Sequence, residues 1–184
     1  MRIIPNLREL IIEKIGYRFF PCLYNRSHDP LFQSIKSITP KDFFHRYIYD
    51  LGCGDGENTV RIQKIFKPKK IVACDRSKPM LERVKKKGFE VQYLDFNTEF
   101  PKGEMAVFTY SLHHAYNKED VLEKAKDNFK YLFICEPYLS LFHFFNWGHV
   151  PSKKEWINLF DKILKKYKLF EYENNLIVFY KVNS

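Results

Sequence analysis

Residues 49–56 read Tyr-Asp-Leu-Gly-Cys-Gly-Asp-Gly, and this stretch decides the fold. The apolar run at 47–51 ends in glycine, which is typical of a buried strand followed by a tight turn. Residues 58–66 then repeat apolar side chains at helical spacing. A strand, a glycine-rich turn and a helix in this order open the α/β folds whose ligands lie at the carboxyl ends of parallel strands.

The alternation of strand and helix continues along the chain. Further buried strands are predicted at 70–74, 89–94, 104–109 and 131–135. Helices are predicted behind the caps Ser77 and Asn117, and behind the capping box formed by Ser152 and Glu155. Residues 167–172 and 176–182, joined across 173–175, indicate a hairpin. The sequence therefore predicts a mostly parallel sheet with helices on both faces and an antiparallel hairpin at the end.

The first 46 residues are predicted to be helical. Pro5 opens one helix, which Gly16 ends, and Asp29-Pro30 opens a second. Thr39 is predicted to cap a further turn of helix. At 184 residues the chain is expected to be a single domain, 1–184, with a helical cap at 1–46 and a core at 47–184.

The composition is that of a globular protein, with 45% hydrophobic and 29% charged residues. The most apolar stretch, 131–147, contains Glu136, Pro137, His143 and Asn146, so no membrane span is expected. No secretory signal is expected either, and we expect a cytoplasmic location. The four cysteines lack Cys-x-x-Cys spacing and are expected to be reduced and structural, with no metal site. They are Cys22, Cys53, Cys74 and Cys135.

The net charge of +9 allows two interpretations. Lysine clusters would attract a polyanion such as RNA by counterion release. They are also common on solvated surfaces, and here they are spread over several predicted helices.

The turn after the first strand carries three glycines and three acids: Gly52, Gly54, Gly56, Asp50, Asp55 and Glu57. A dinucleotide site has the pattern Gly-x-Gly-x-x-Gly, and Glu57 occupies its last position. The acids would repel a pyrophosphate but suit a ligand with an ammonium and a sulfonium group. S-adenosylmethionine is such a ligand.

Acids also end the next two strands. Asp75 can accept both ribose hydroxyls, or it can cap the helix at Ser77. Asp95 can accept from the adenine amino group, or it can be an ordinary turn former. An aromatic residue, Phe96, or Met80 would cover the purine.

Two histidines follow the fourth predicted strand, where the methyl group and its acceptor would meet. His113 or His114 is a candidate general base, which is needed only if the acceptor is a hydroxyl or a protonated amine. Alternatively, one histidine packs under the helix and the other is solvated. Two groups of aromatic residues are expected either to cover the acceptor or to pack within the fold. The first is Tyr138, Phe142, Phe144, Phe145 and Trp147, and the second is Tyr17, Phe19, Phe20 and Tyr24.

Four features together resemble the class I S-adenosylmethionine-dependent methyltransferases: YDLGCGDG at 49–56, VACDRSKPML at 72–81, Asp95, and SLHH at 111–114. Where that family often has a Leu-x-Pro-Gly-Gly turn, residues 126–130 read KDNFK. The resemblance implies a three-layer α-β-α Rossmann-like fold with a seven-stranded sheet. It also implies S-adenosylmethionine as cofactor and S-adenosylhomocysteine as product. The cofactor-binding residues it implies are Asp50, Gly52, Cys53, Gly54, Gly56, Asp75, Arg76, Met80, Asp95, Phe96, Tyr110, Ser111 and Leu112.

The SLHH form is similar to branches that methylate small metabolites, quinone precursors or a modified tRNA uridine. We expect a methyltransferase with a small-molecule acceptor, shaped by residues 1–46 and 136–151. An RNA methyltransferase and a non-catalytic cofactor-binding protein are the alternatives. The sequence leaves the acceptor and the oligomeric state open.

Overall fold

The computed structural model describes residues 29–139 and 150–182, which form one seven-stranded sheet in the order β3-β2-β1-β4-β5-β7-β6. Neighbours among β1 to β5 are parallel, and β7 is antiparallel to both β5 and β6. The strands are β1 Tyr47–Leu51, β2 Lys70–Asp75, β3 Glu90–Tyr93, β4 Gly103–Thr109, β5 Phe129–Pro137, β6 Lys168–Tyr172 and β7 Asn175–Lys181. The predicted fold class, including the terminal hairpin, is confirmed.

Five α-helices flank the sheet within the described ranges: α1 Asp29–Ile38, α2 Glu57–Phe66, α3 Lys78–Lys86, α4 Lys118–Asn128 and α5 Lys153–Ile163. Short 3₁₀ turns occupy Lys41–Phe43 and Leu112–His114. Because side chains alternate along a strand, Val107 packs with α1 to α3 on one face and Phe108 packs with α4 and α5 on the other. The sheet therefore has two buried faces, which hold its strand ends in fixed positions.

Two predicted helix caps are confirmed with their hydrogen bonds, Ser77 is confirmed only as the N-cap position of α3, and the cap predicted at Thr39 is wrong. The Asn117 side chain accepts from two backbone N–H groups of α4, and Ser152 and Glu155 form the capping box of α5. The Ser77 side chain does not cap α3. The Thr39 hydroxyl donates to the Ile35 carbonyl at the end of α1 instead of capping the turn that follows. Both hydroxyl groups are near a helix end, but neither accepts from it.

The fifth strand is longer than the sequence predicts. β5 continues through Glu136 to Pro137, where it still pairs with Asn175 of β7. Glu136 therefore lies inside the sheet and not in the loop that follows.

Several predictions fall outside the described residues. They are the helix from Pro5 to Gly16, Cys22, and the aromatic residues Tyr17, Phe19, Phe20, Tyr24, Phe142, Phe144, Phe145 and Trp147. Within the described ranges, no helix combines the length and the apolar character needed to cross a membrane. Cys53, Cys74 and Cys135 are buried free thiols.

Candidate functional site

The candidate site lies at the carboxyl ends of β1 and β4. These strands are neighbours in the sheet, and the strand order reverses between them, since β2 and β3 lie on one side and β5 on the other. Loops leaving such a switch point diverge to opposite faces and leave a crevice for a ligand. The predicted site residues follow β1, β2, β3 and β4, so the topology brings them to one edge.

The loop after β1 needs its glycines for different reasons. Gly52, Gly54 and Gly56 all have a positive φ, at 78°, 56° and 82°. A Cβ on Gly52 would lie 2.6 Å from the Cβ of Ser111, and one on Gly56 would lie 2.9 Å from a methyl of Val84. A Cβ on Gly54 would meet no atom of the described residues within 4 Å. Packing therefore requires glycine at 52 and 56, whereas Gly54 borders open space within the described part of the chain.

Backbone hydrogen bonds tie this loop to the end of β2. The N–H groups of Gly52 and Cys53 donate to the Cys74 carbonyl, at 2.8 and 3.0 Å. The Cys53 side chain is buried, and burial raises the pKa of its thiol, so it packs as a small neutral group. The loop that would wrap the ligand is thus anchored to two strands.

Asp75 connects the glycine loop to α3. One carboxylate oxygen accepts from Gly54 N–H at 2.9 Å, and the other accepts from Ser77 N–H at 2.7 Å. Burial raises the pKa of Asp75, although both N–H donors oppose that shift. The predicted alternative, a cap on Ser77, is therefore present, and the ribose role stays a prediction.

Asp50, near the end of β1, is more buried than Asp55 and Glu57 in the loop that follows, with 2% of its surface exposed. The Thr59 hydroxyl donates to it at 2.6 Å. Burial, opposed by the Thr59 hydrogen bond and assisted by the nearby negative charge of Asp75, raises the pKa of Asp50 to about 6. A ligand cation beside Asp50 would favour its ionised form.

The Glu57 carboxylate already has a cationic partner within the protein. Its carboxylate forms an ion pair with Lys87 at the end of α3. Asp55 accepts from the Glu57 N–H at 3.2 Å. Of the three acids that argued for a cationic ligand, Glu57 therefore already has a partner cation.

Asp95 and Phe96 follow β3. One Asp95 oxygen accepts from the backbone and the side-chain amide of Asn97, at 3.0 and 2.7 Å, which is the turn geometry predicted as its alternative role. Phe96 is buried, packs edge-to-face on Phe108 and approaches Gly52. Met80 is half-buried on α3. The adenine contacts of these residues stay predictions.

The backbone turns sharply after β4. Tyr110 has a φ of 56°, a left-handed conformation that a bulky residue adopts at a cost of about 1–2 kcal/mol. Its hydroxyl donates to the Asn175 side chain on β7 at 2.7 Å. Strain of this kind persists where surrounding contacts enforce it, and it concentrates at functional sites.

Ser111 supplies a buried hydroxyl beside the glycine loop. Its Oγ lies 3.3 Å from the position of a Cβ on Gly52, and it has no hydrogen-bond partner among the described residues. A buried hydroxyl without a partner costs about 1–3 kcal/mol. The position therefore suits a ligand atom that can hydrogen bond.

Glu136 is the functional candidate that the sequence interpretation missed. It is fully buried near the end of β5, and one of its oxygens accepts from the N–H groups of Ser111 and Leu112, at 2.8 and 2.7 Å. The other lies 2.6 Å from His113 Nδ1. A carboxylate within an otherwise apolar run was the available signal, because a buried charge needs partners.

The structure separates the two candidate histidines. His113 is buried against Glu136, while His114 is exposed with its ring centroid 4.0 Å from that of His113. Desolvation of the part of its ring that packs against the protein, together with the neighbouring His113, lowers the pKa of His114 to about 4. His114 is therefore neutral at physiological pH. The role of either as a base stays a prediction.

These residues fit S-adenosylmethionine. Three features of the described residues match a ligand that carries hydrogen-bonding groups and positive charge: the space at Gly54, the Ser111 hydroxyl, which has no partner among them, and the poorly compensated Asp50 charge. Asp75 presents oxygens beside the same space. No feature of a phosphate site is needed to explain them.

Comparisons with known proteins agree with this geometry. Residues 48–131 match the family described as methyltransferase domain. No curated protein matches the sequence. A solved S-adenosylmethionine-dependent methyltransferase of Thermotoga maritima, described as a possible histamine N-methyltransferase, is 16% identical; the alignment covers 95% of this chain and 99% of that one, with a TM-score of 0.73.

Two further solved structures share the fold. Human N-acetylserotonin methyltransferase in complex with S-adenosylmethionine is 15% identical over 100% of this chain and 61% of that one, with a TM-score of 0.73. A putative Haloferax volcanii methyltransferase, solved with the Trm112 methyltransferase activator, is 10% identical over 98% of this chain and 99% of that one, with a TM-score of 0.69. Residues 48–131 thus match the methyltransferase domain family, and the chain has the class I fold of the S-adenosylmethionine-dependent methyltransferases.

Proposed function

We propose that this protein transfers the methyl group of S-adenosylmethionine to an oxygen, nitrogen or carbon atom of a small acceptor. The observation that carries the proposal is the pair of carboxylates, buried Asp50 and partly buried Asp75, around a glycine loop that has open space at Gly54 among the described residues. The cofactor supplies an electrophilic methyl group on a sulfonium. Because a sulfonium is a good leaving group, the protein contributes chiefly by orienting the two reactants.

Each part of the proposed cofactor site has its residues. Asp50 lies near the ammonium, the loop at 52–56 wraps the methionine portion with Cys53 in its floor, and Tyr110 to Leu112 line its other side. Asp95, Phe96 and Met80 serve the adenine, and Arg76 borders the ribose. In this proposal Asp75 keeps its two backbone hydrogen bonds, since a carboxylate has about four acceptor sites and two remain for the ribose hydroxyls.

The small acceptor is supported by the Thermotoga maritima protein. That protein is described as a possible histamine N-methyltransferase, and it aligns over nearly all of both chains. Histamine, the possible substrate in that description, is a small molecule. His113 and His114 are the candidate bases for an acceptor that must lose a proton.

Calorimetric titration with S-adenosylhomocysteine tests the cofactor site. We expect Asp75→Ala to weaken binding by about tenfold or more, because it removes two charge-assisted hydrogen bonds to the ribose. Asp42→Ala is the matched control, since Asp42 is a partly exposed carboxylate that lies at the opposite edge of the sheet and pairs with Lys181. Equal affinities of the wild type and Asp75→Ala would exclude the ribose role, and no binding to the wild type would exclude the proposal.

An RNA acceptor is the second candidate. Besides the net charge of +9, two exposed tyrosines at the carboxyl edge each lie within 6 Å of a cation, Tyr93 near Lys78 and Tyr116 near Arg76. Exposed aromatic rings beside cations can stack on unpaired bases. Binding of tRNA that weakens steeply with salt would favour this candidate, and no binding at low salt would count against it.

A further inference from the structure

The carboxylate of Glu136 is surrounded by donors from a single turn. Ser111 N–H and Leu112 N–H donate to Oε1, at 2.8 and 2.7 Å, and His113 N–H lies 3.4 Å from Oε2. His113 Nδ1 is 2.6 Å from the same Oε2. Glu136 on β5 therefore holds the backbone of the 3₁₀ turn that follows β4 and one side chain of that turn.

This arrangement determines where the proton of His113 lies. An ionised carboxylate has only acceptor sites, so the nitrogen that faces it must carry the hydrogen. In neutral His113 the hydrogen is then on Nδ1, and Nε2 has a free lone pair. The Nδ1 hydrogen bond thus selects the tautomer whose other nitrogen can accept a proton.

The same turn forms one wall of the glycine loop. The Cβ of Ser111 lies 2.6 Å from where a Cβ on Gly52 would be, so the two backbones are in close contact. On the other side, Tyr110 is held in its left-handed conformation by Asn175. A shift of the turn would therefore change the width of the space beside Gly52.

We propose that Glu136 is a positioning residue that holds the Ser111–His113 turn against the glycine loop and keeps the proton of His113 on Nδ1, leaving Nε2 to accept a proton from the methyl acceptor. The proton acceptor role rests on the proposed function. That step moves one proton from the acceptor's hydroxyl or ammonium to Nε2. The imidazolium it forms lies beside the carboxylate of Glu136, which stabilises its charge.

The tautomer can be observed directly by long-range ¹H–¹⁵N correlation on ligand-free protein labelled at histidine. At about pH 9 an ordinary histidine is neutral, and a protonated ring nitrogen has a ¹⁵N shift distinct from a bare one. His113→Gln assigns the signals by their disappearance. We expect the Nδ1–H tautomer in the wild type; the Nε2–H tautomer there would overturn the proposal.

Glu136→Gln tests whether the Glu136 carboxylate is what keeps the proton of His113 on Nδ1. The two short contacts from Ser111 and Leu112 keep the amide oxygen at the Oε1 position, which places the NH₂ group against His113 Nδ1. That nitrogen must then accept, so we expect the tautomer to change to Nε2–H. Glu104→Gln is the matched control, because Glu104 also accepts a strand-end N–H, from Tyr47, at the opposite edge of the sheet. An unchanged tautomer in Glu136→Gln would overturn the proposal.

Glu136→Ala tests the effect on the turn. We expect S-adenosylhomocysteine affinity to fall about tenfold, because the turn loses the acceptor of its N–H groups. Wild-type affinity in a folded Glu136→Ala would overturn this part. If that variant does not fold, the wild-type and Glu136→Gln tautomers still decide the inference. If the wild type binds no S-adenosylhomocysteine, the proposed function fails, while the tautomer in ligand-free protein still tests the role of Glu136.

Discussion

Three carboxylates at each edge of the sheet have contrasting surroundings. At the carboxyl edge, Asp50, Asp75 and Glu136 are largely or fully withdrawn from solvent and accept from backbone N–H groups, a hydroxyl or an imidazole. At the amino edge, carboxylates are partly or fully exposed and pair with cations: Asp42 with Lys181, Glu90 with Lys70, and Glu104 with Arg46. The same functional group is thus built into a site at one edge and into a solvated surface at the other.

The carboxylates at the two edges differ in their contribution to the stability of the fold. An exposed ion pair contributes little to stability, and its loss is tolerated. A buried carboxylate must give up hydration, so it is unfavourable until hydrogen bonds or a ligand charge compensate it. Burial raises the pKa of Asp50 and Asp75, whereas the Lys181 hydrogen bond lowers that of Asp42. Stability is therefore given up at the carboxyl edge, where the cofactor is expected to bind.

The largest expected effect comes from closing the space at the carboxyl edge. In Gly52→Ala the new Cβ would lie 2.6 Å from Ser111 and 3.2 Å from the Phe96 ring, so the turn and the loop must separate. We expect S-adenosylhomocysteine affinity to fall by about 100-fold, because overpacking costs about 1–3 kcal/mol and each 1.4 kcal/mol is about tenfold in affinity. Calorimetry measures it.

Gly88→Ala is the control for the backbone alone. Gly88 follows the end of α3 with a φ of 86°, and a Cβ there would meet no atom of the described residues within 4 Å. We expect the substitution to lower the free energy of unfolding by about 1–2 kcal/mol and to leave cofactor affinity unchanged. If Gly52→Ala binds as well as Gly88→Ala, the close approach of Ser111 to the loop does not control the site.

An effect of similar free energy is expected in the pH dependence of stability. Because its folded pKa of about 6 lies above the ordinary value of 3.8, Asp50 contributes stability that is fully present below about pH 4 and is lost as pH rises through 6. Asp50→Asn lacks this loss, so its stability relative to the wild type should rise by about 3 kcal/mol over that range. Urea unfolding at a series of pH values measures the difference.

Asp42→Asn is expected to show the opposite dependence of stability on pH. The lowered pKa of Asp42 means that its contribution is present above its ordinary pKa and is lost as pH falls. The stability of Asp42→Asn relative to the wild type should therefore fall as pH rises from the acid range. Parallel pH profiles for the wild type and Asp50→Asn would show that burial does not control the titration of Asp50.

The sequence predicts a site residue when its place in the site follows from the strand end beside it in the chain. The glycine loop and the acids after β1 and β2 lie next to strand ends, so their common edge follows from a parallel sheet. Glu136 could not be placed in the same way, because its partners lie 23–25 residues earlier and meet it only once β5 lies beside β4. The predicted strand ends at Cys135 because Glu and Pro disfavour strands, whereas pairing with β7 extends it.

The smallest effect is expected at the amino edge. Glu104→Gln keeps an oxygen for the Tyr47 N–H but removes the charge facing Arg46, whose guanidinium donates at 2.7 Å. We expect the free energy of unfolding to change by at most about 1 kcal/mol, with the difference shrinking in high salt and cofactor affinity unaffected. A double-mutant cycle with Arg46→Gln isolates the pair. A coupling well above that value, or a loss of affinity, would mean that the amino edge supports the site through the sheet and that the two edges are not independent.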